Sequence, residues 1–192
     1  MSAPRKRHVK GVAALAFGLI GSMGTAAAAC FAVIPGEGGV SFEVKQAGAP
    51  FRGAFRKFGG EICLAGDAVS RIEVWLDPGS VQTGLPEIDA ALKDKEFFAV
   101  NQHARIRFAS RSVEARGDDR LAQGTLSIKE KRRDAAIPFR LAQSGGKLTV
   151  SGSFVLDRLQ YDVGTGEWSD TRWLAAEVKI DFKAFLSANS PN

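Results

Sequence analysis

The chain has 192 residues, and its 26 basic residues against 21 acidic ones give a formal net charge of +5. Four of those bases and none of the acids lie in residues 1–29, so the remainder carries only +1 and gives little support for a nucleic-acid partner. After residue 29 there are one histidine and two cysteines, too few for the usual zinc sites built from histidine and cysteine.

The first 29 residues predict a cleaved secretory signal peptide. A basic start (Arg5, Lys6, Arg7 and Lys10) precedes an apolar stretch from 11 to 24, and small residues follow up to Ala29. The apolar stretch is too short and too rich in glycine for a comfortable bilayer span. The sequence therefore predicts an exported, periplasmic protein whose mature part begins at residue 30.

Cys30 and Cys63 are the two cysteines of the chain. In an oxidising compartment they predict one disulfide that ties the mature N-terminus to the second strand. Two alternatives stay open, a lipoprotein acylated at Cys30 and a pair of free thiols. Ala27 stands where acylation sites normally carry leucine, which favours the disulfide.

Beyond residue 40 the chain repeats short runs in which every second residue is apolar, and this period is typical of strands with one buried face. Turn residues, chiefly glycine, proline, aspartate and serine, separate the runs. The segments predicted as strands are 40–44, 51–58 with a bend at 59–60 leading into Ile62, 72–76, 105–108, 126–128, 137–141, 148–156 and 174–182.

One segment departs from this period. Residues 86–93 begin with proline, carry early acids and place apolar residues at helical spacing, so they predict a two-turn helix followed by Phe97 and Phe98 at a turn. About eight strands with short connections and one helix predict an all-β fold, a closed or nearly closed antiparallel barrel. With 13 phenylalanines and one tyrosine, its interior is either a solid core or a pocket for a long apolar molecule.

The polar motifs do not predict an enzyme. His103 lies in a loop pattern with no serine elbow, and residues 36–39 indicate a turn before the first strand and no phosphate loop. The basic run 129–134 indicates a solvated hairpin turn, with a contact for anionic lipid headgroups as the alternative. Asp157, Arg158, Asp162 and Glu167 indicate a structural ion pair or a polar contact at the barrel rim.

Several patches, taken in order, resemble the YceI-like family over nearly the whole mature chain. They are the segments 41–44, 53–60 and 77–84, the middle pattern from Asp89 through Phe97-Phe98 to Ser110, the "GxLTI"-like segment 124–128, and 156–168, which ends in Val163-Gly164-Thr165-Gly166-Glu167-Trp168. The first strand departs from the family pattern, because Gly38-Gly39-Val40-Ser41 replaces its usual acidic start.

The resemblance implies an eight-stranded lipocalin-like barrel that holds a polyisoprenoid or another long-chain lipid, with a homodimer as a further expectation. Its C-terminal segment is similar to the branch associated with cytochrome b561 membrane proteins, which suggests an isoprenoid quinone as ligand and such a cytochrome as partner. No cofactor other than the bound lipid is expected. The domain boundaries that follow are 1–29 for the signal peptide, 30–186 for the barrel and 187–192 for a flexible tail.

The candidate ligand-binding residues are inward-facing apolar positions and one tryptophan at the last long loop. For each of them ordinary core packing is the alternative, and Trp168 and Trp173 are expected either to gate the mouth or to pack at the barrel end. The candidates are Phe42, Phe55, Ile72, Val74, Phe108, Ile128, Phe139, Val150, Phe154, Trp168, Val178 and Ile180.

The function predicted from these features is that of a periplasmic carrier that holds an isoprenoid lipid without chemistry. The alternative is an accessory or regulatory partner of a membrane cytochrome, with a solidly packed barrel. No catalytic residue and no metal ligand is predicted.

Overall fold

The computed structural model describes residues 28–144 and 147–188. The predicted signal peptide, apart from its last two residues, and residues 189–192 of the predicted tail lie outside this part. The described residues form one short α-helix, α1 (Pro86–Ala91), and three single-turn 3-10 helices (Pro78–Ser80, Arg158–Tyr161 and Gly166–Ser169). They also form ten strands: β1 (Ala29–Gln46), β2 (Ala49–Phe55), β3 (Phe58–Ala65), β4 (Ala68–Leu76), β5 (Val81–Gln82), β6 (Ile106–Arg116), β7 (Asp119–Ile128), β8 (Lys131–Ser144), β9 (Lys147–Asp157) and β10 (Leu174–Ala188).

The ten strands build a closed antiparallel barrel with eight strand positions, because two of these positions are each shared by two short strands. Strands β2 and β3 pair one after the other with the same side of β1, so together they count as one interrupted strand. Strands β4 and β5 likewise count as one, because β4 pairs with β3 and β5 with β2. Strands β6 to β9 pair each with the next, and β10 pairs with both β9 and β1, which closes the sheet. The predicted all-β, eight-stranded, lipocalin-like barrel is confirmed.

The first strand is longer than the sequence pattern predicts. It begins at Ala29, and residues 36–39, which were expected to form a turn before the strand, lie inside it. The pairing with β10 jumps there from Val33–Leu186 to Gly38–Ala184, so the extra residues form a bulge. Gly38 has a φ of +103°, and a Cβ on it would overlap the Lys183 carbonyl, so glycine marks close strand approach here and not a turn.

The disulfide between Cys30 and Cys63 is present. The two residues are direct partners in the pairing of β1 with β3, so the bond ties the start of β1 to the last part of β3. The prediction placed Cys63 on the second strand, after a bend at residues 59–60. The structure divides that segment into β2 and β3, so Cys63 lies on the third strand.

Inward-facing glycines make room for phenylalanine rings. A Cβ on Gly152 would meet the ring of Phe182, its partner across β9 and β10, and a Cβ on Gly53 would meet the ring of Phe42. Each ring thus covers the space that its cross-strand neighbour leaves open. Pairing a phenylalanine with a glycine across neighbouring strands packs the wall of the barrel without filling the whole interior.

Helix α1 is six residues long, two fewer than predicted, and it begins at Pro86. The Asp89 carboxylate anchors it by accepting hydrogen bonds from the backbone N and the Oγ1 of Thr83, each 2.7 Å long. Strand β5, which precedes the helix, pairs only with β2 among the described strands, so the helix and the following turns lie where the sheet leaves a gap. No helix in the described ranges is long and apolar enough to cross a bilayer.

At the other end of the chain, β10 continues through Ser187 and Ala188, which pair with Ala32 and Phe31 of β1. The predicted tail therefore loses its first two residues to the barrel, because the early start of β1 provides them with partners.

We predict that Gly60→Ala destabilises the fold by about 2–3 kcal/mol. Gly60 has a φ of +130°, and a Cβ on it would overlap the Glu73 carbonyl of β4, so alanine adds backbone strain and a steric clash. Urea denaturation gives the change in the free energy of unfolding. Gly39→Ala is the matched control, since nothing lies within 4 Å of a Cβ there; an equal loss in both variants would contradict this account.

Candidate ligand-binding cavity

The barrel encloses two apolar chambers. The lower chamber, of about 160 Å³, lies toward the end that carries the β6–β7 hairpin, and the upper chamber, of about 180 Å³, lies toward the β1–β2 hairpin and α1. By the same measure one water molecule needs only about 10–15 Å³. The interior is therefore a ligand-sized space and not a solidly packed core.

Six inward-facing side chains line both chambers, and we call this shared layer the neck. They come from β1, β4, β6, β7, β9 and β10, so the neck is contributed by most of the circumference of the barrel. The neck consists of Val40, Leu76, Ile106, Leu126, Phe154 and Ile180. A molecule occupying both chambers would have to pass between these side chains.

Aromatic rings give the upper chamber much of its surface. Phe55 lies 5.7 Å, between ring centroids, from Phe42 on one side and from Phe98 on the other. Phe97 and Trp168 lie 5.6 Å apart and close the chamber from the side of the loops. These separations are those of ordinary aromatic pairs, so the rings form a cohesive apolar wall.

Two polar residues also line the upper chamber. Gln46, at the end of β1, makes no side-chain hydrogen bond within the described residues, so its amide is free to donate and accept. Arg158 is the one charged side chain in the buried core of the described part, with 3% of its surface exposed. Only its aliphatic stem is available to an apolar ligand, because its guanidinium is fully occupied.

The Arg158 guanidinium sits in a cage of backbone carbonyls. Its nitrogens donate five hydrogen bonds, as many as the group has N–H donors, and no carboxylate forms an ion pair with it in the described ranges. The acceptors are the carbonyl oxygens of Ala175 (2.9 Å), Val163 (2.8 Å), Gly164 (2.8 Å), Trp168 (2.6 Å) and Leu174 (2.6 Å).

The electrostatics of Arg158 follow from this cage. Desolvation lowers the pKa of its guanidinium from the ordinary value, and the nearby Asp157 carboxylate opposes that shift. Arginine keeps its charge in proteins, so the site is a buried cation balanced by carbonyl dipoles. Gly164 is required beside it, because its φ is +76° and a Cβ there would overlap the guanidinium.

A lysine fastens the loops that cover the upper end of the barrel. The Lys129 Nζ donates to the carbonyls of Asp162, at 2.8 Å, and Lys95, at 3.2 Å. The Glu96 carbonyl in turn accepts from the backbone N–H groups of Gly164 and Thr165. The turn after α1, the β7–β8 turn and the segment after β9 are thereby joined into one cap, which we call the upper cap.

The family model for the YceI-like domain matches residues 31–186. The chain belongs to the YceI-like family. A comparison of its sequence with curated proteins gives no match.

Solved structures show the same YceI-like architecture. BcnA of Burkholderia cenocepacia is 29% identical, with a TM-score of 0.76 over 80% of this chain and 98% of its own. A polyisoprenoid-binding domain from Saccharophagus degradans is 16% identical, with a TM-score of 0.67 over 83% of this chain and 98% of its own. The Campylobacter jejuni YceI protein is 17% identical, with a TM-score of 0.63 over 72% and 85%. The latter two support the fold alone.

The structure brings the twelve candidate residues together on the walls of this YceI-like barrel. Five line the lower chamber, five the upper chamber, and Phe154 and Ile180 belong to the neck. The lower group is Ile72, Val74, Phe108, Phe139 and Val150, and the upper group is Phe42, Phe55, Ile128, Trp168 and Val178. That these residues bind a ligand stays a prediction.

The other polar candidates take structural positions. The Asp157 carboxylate accepts from the Leu159 N–H, and Asp162 forms a 3.0 Å ion pair with Lys131. Of the two expectations, an ion pair or a polar contact at the barrel rim, Arg158 shows the polar contact, because its guanidinium bonds only backbone carbonyls among the described residues. Lys129 was predicted to lie in a solvated turn. Its Nζ instead donates to two carbonyls of the upper cap. Trp173 is 63% exposed and lines neither chamber.

The alternation did not predict that the helix and the other neck residues line the cavity. Ile88, Ala91 and Leu92 line the upper chamber, and their helical spacing was visible in the sequence. The four neck residues that were not candidates follow the same alternation as the candidates, and they are Val40, Leu76, Ile106 and Leu126. For Gln46 no signal was available, since an inward polar residue at a strand end resembles any exposed one.

We predict that Arg158→Met lowers the free energy of unfolding by at least about 3 kcal/mol, because the five carbonyls of the cage lose their donors. Guanidinium chloride denaturation measures the change. Arg140→Met, which removes an exposed arginine paired with Asp119, is the control and should cost at most about 1 kcal/mol. A cost for Arg158→Met as small as for this control would show that the cage does not stabilise the cap.

Proposed function

We propose that the protein is a periplasmic carrier that holds a long-chain isoprenoid lipid inside the barrel and performs no chemistry on it. The observation that carries this proposal is the pair of apolar chambers joined by the neck. Such a space suits a slender chain that extends along the barrel better than a compact ligand.

The energetics favour a long apolar tail. Each buried CH₂ group contributes roughly 0.8 kcal/mol, so ten of them give about 8 kcal/mol before costs, near micromolar affinity. A tail of tens of carbons supplies several times that amount, offset by the flexibility that it loses on binding. Phenylalanine and aliphatic side chains alone therefore suffice to retain a prenyl chain.

The polar groups favour an amphiphile with a small head at the upper end. Gln46 offers one uncommitted amide there, suited to a hydroxyl or carbonyl oxygen of the ligand. An isoprenoid quinone, which carries two carbonyls on a ring, is one ligand of this description. The S. degradans relative is described as a polyisoprenoid-binding domain, which supports the same class of ligand.

The chamber walls also argue for binding without catalysis. In the described part of the chain they contain no histidine, cysteine, carboxylate or hydroxyl side chain. The only group with metal-ligand spacing among the described residues is Cys30, Glu61 and Cys63, whose two sulfurs are joined as a disulfide.

An accessory role beside a cytochrome b561 membrane protein stays an alternative that comes from the family resemblance. That accessory role was predicted together with a solidly packed barrel, and the two chambers favour the carrier instead. A cytochrome partner and a homodimer remain compatible with the carrier.

We predict that the mature protein binds solanesol, a long prenyl alcohol, at one molecule per barrel, and that Val40→Trp weakens this binding at least tenfold. The larger ring occupies the neck and keeps the tail out of one chamber. Native mass spectrometry gives the stoichiometry, and competition with a fluorescent fatty acid gives the affinity. Geraniol, which is short enough for a single chamber, should bind both proteins alike.

Val155→Trp is the matched control, because Val155 follows the neck residue Phe154 on β9 but points outward and is 59% exposed. It should bind solanesol as the unsubstituted protein does. Thermal unfolding checks that both variants fold, since a larger side chain in a packed layer costs about 1–3 kcal/mol. No uptake of solanesol by the unsubstituted protein would contradict the carrier, and equal uptake by Val40→Trp would contradict the interior as its site.

A further inference from the structure

One row of residues on the outer wall differs in charge from its surroundings. Trp75 of β4, Arg107 of β6, Ser127 of β7 and Arg132 of β8 are successive cross-strand partners. Their sequence neighbours Val74, Leu76, Phe108 and Leu126 line the chambers, so this row points outward.

The arginines of this row have no acidic partner. Within the described residues, neither Arg107 nor Arg132 makes a side-chain hydrogen bond or an ion pair, and both are exposed. Arg105 lies beside them, with its guanidinium carbon 4.3 Å from the centroid of the Trp75 ring. Arg105 and Arg107 thus place two positive charges beside Trp75, and Arg132 adds a third farther along the row.

The next outward row shows the opposite arrangement. It contains Glu73 of β4, Thr125 of β7 and Asp134 of β8. Arg71 pairs with Glu73 at 3.1 Å, and Arg111 pairs with Asp134 at 2.8 Å and bonds Thr125. Carboxylates therefore neutralise arginines in this row. In the row of Trp75, two residues farther along each strand, Arg107 and Arg132 have no such partner among the described residues, and this marks a distinct patch.

The patch borders the cavity. Gly59, Trp75 and Arg107 are outward-facing, yet they also line the lower chamber, so that chamber approaches the surface here. The Trp75 ring lies against Gly59, where a Cβ would come within 2.9 Å of it. The break between β2 and β3, at residues 56–57, comes just before Gly59, so the hydrogen-bond ladder is interrupted nearby.

We propose that Trp75, Arg105, Arg107 and Arg132 form a docking patch for an anionic phospholipid bilayer. Arginine and tryptophan side chains are suited to the headgroup region, where guanidinium groups meet phosphates and the indole lies at the apolar boundary. Arg107 and Arg132 lie two strand spacings apart, about 10 Å, which matches an array of separate anions better than a single bound ion. The patch would bring the lower chamber to the membrane surface.

The test is co-sedimentation of the mature protein with vesicles of phosphatidylcholine alone and of phosphatidylcholine mixed with phosphatidylglycerol. We expect binding to the mixed vesicles only, weakening as salt rises. The double variant Arg107→Ser/Arg132→Ser should bind them about thirtyfold more weakly, from roughly a tenfold factor for each 1.4 kcal/mol and about 1 kcal/mol for each basic residue at the surface.

Arg116→Ser/Arg140→Ser is the control, because it removes the same charge from ion-paired arginines beside the β6–β7 hairpin, outside the patch. It should bind the mixed vesicles as the unsubstituted protein does, and circular dichroism confirms that both variants fold. Failure of the unsubstituted protein to bind, equal binding to both kinds of vesicle, or equal losses in both double variants would overturn the docking patch. Since vesicle binding needs no ligand in the barrel, these outcomes are independent of the solanesol result.

Discussion

The pairing of β1 with β10 is the constraint on which the rest of the structure depends. It joins the two ends of the domain, from Phe31–Ala188 to Gln46–Leu174, and so turns an open sheet into a barrel with no free edge along this seam. Once the seam is closed, every inward residue faces an enclosed space. The glycine bulge in β1 and the disulfide to β3 lie at the same end of this strand, where it changes partner from β2 to β3.

The upper end of the closed barrel is covered by the upper cap, and Arg158 holds the segment after β9 in place there. The segment Val163-Gly164-Thr165-Gly166-Glu167-Trp168, which carries much of the family resemblance, supplies three of its five acceptors. Gly164 is accounted for by the contact with the guanidinium, and Trp168 by its carbonyl and its place on the chamber wall. The conspicuous polar motif of this chain is thus a structural device that shapes an apolar site.

Strand period and glycine position allowed most of the barrel to be predicted. Alternation identified Phe154 and Ile180 as inward without any knowledge of their partners, because the period of a strand fixes its face. It failed at Gly36-Glu37-Gly38-Gly39, where a bulge inside a strand has the same composition as a turn. The neck, the Arg158 cage and the row that joins Trp75 to Arg107 and Arg132 depend on which strands are neighbours, and a single sequence with eight similar strands does not specify that.

We infer that one apolar chain runs through both chambers, with its polar head near Gln46 and its far end beyond the neck. The most direct measurement is a crystal structure of the protein with a prenyl alcohol that carries bromine on its terminal isoprene unit. The account predicts an anomalous peak in the lower chamber, among Phe108, Phe139 and Val150. A bromine peak outside the barrel, or beside Gln46 with the hydroxyl buried below, would contradict it.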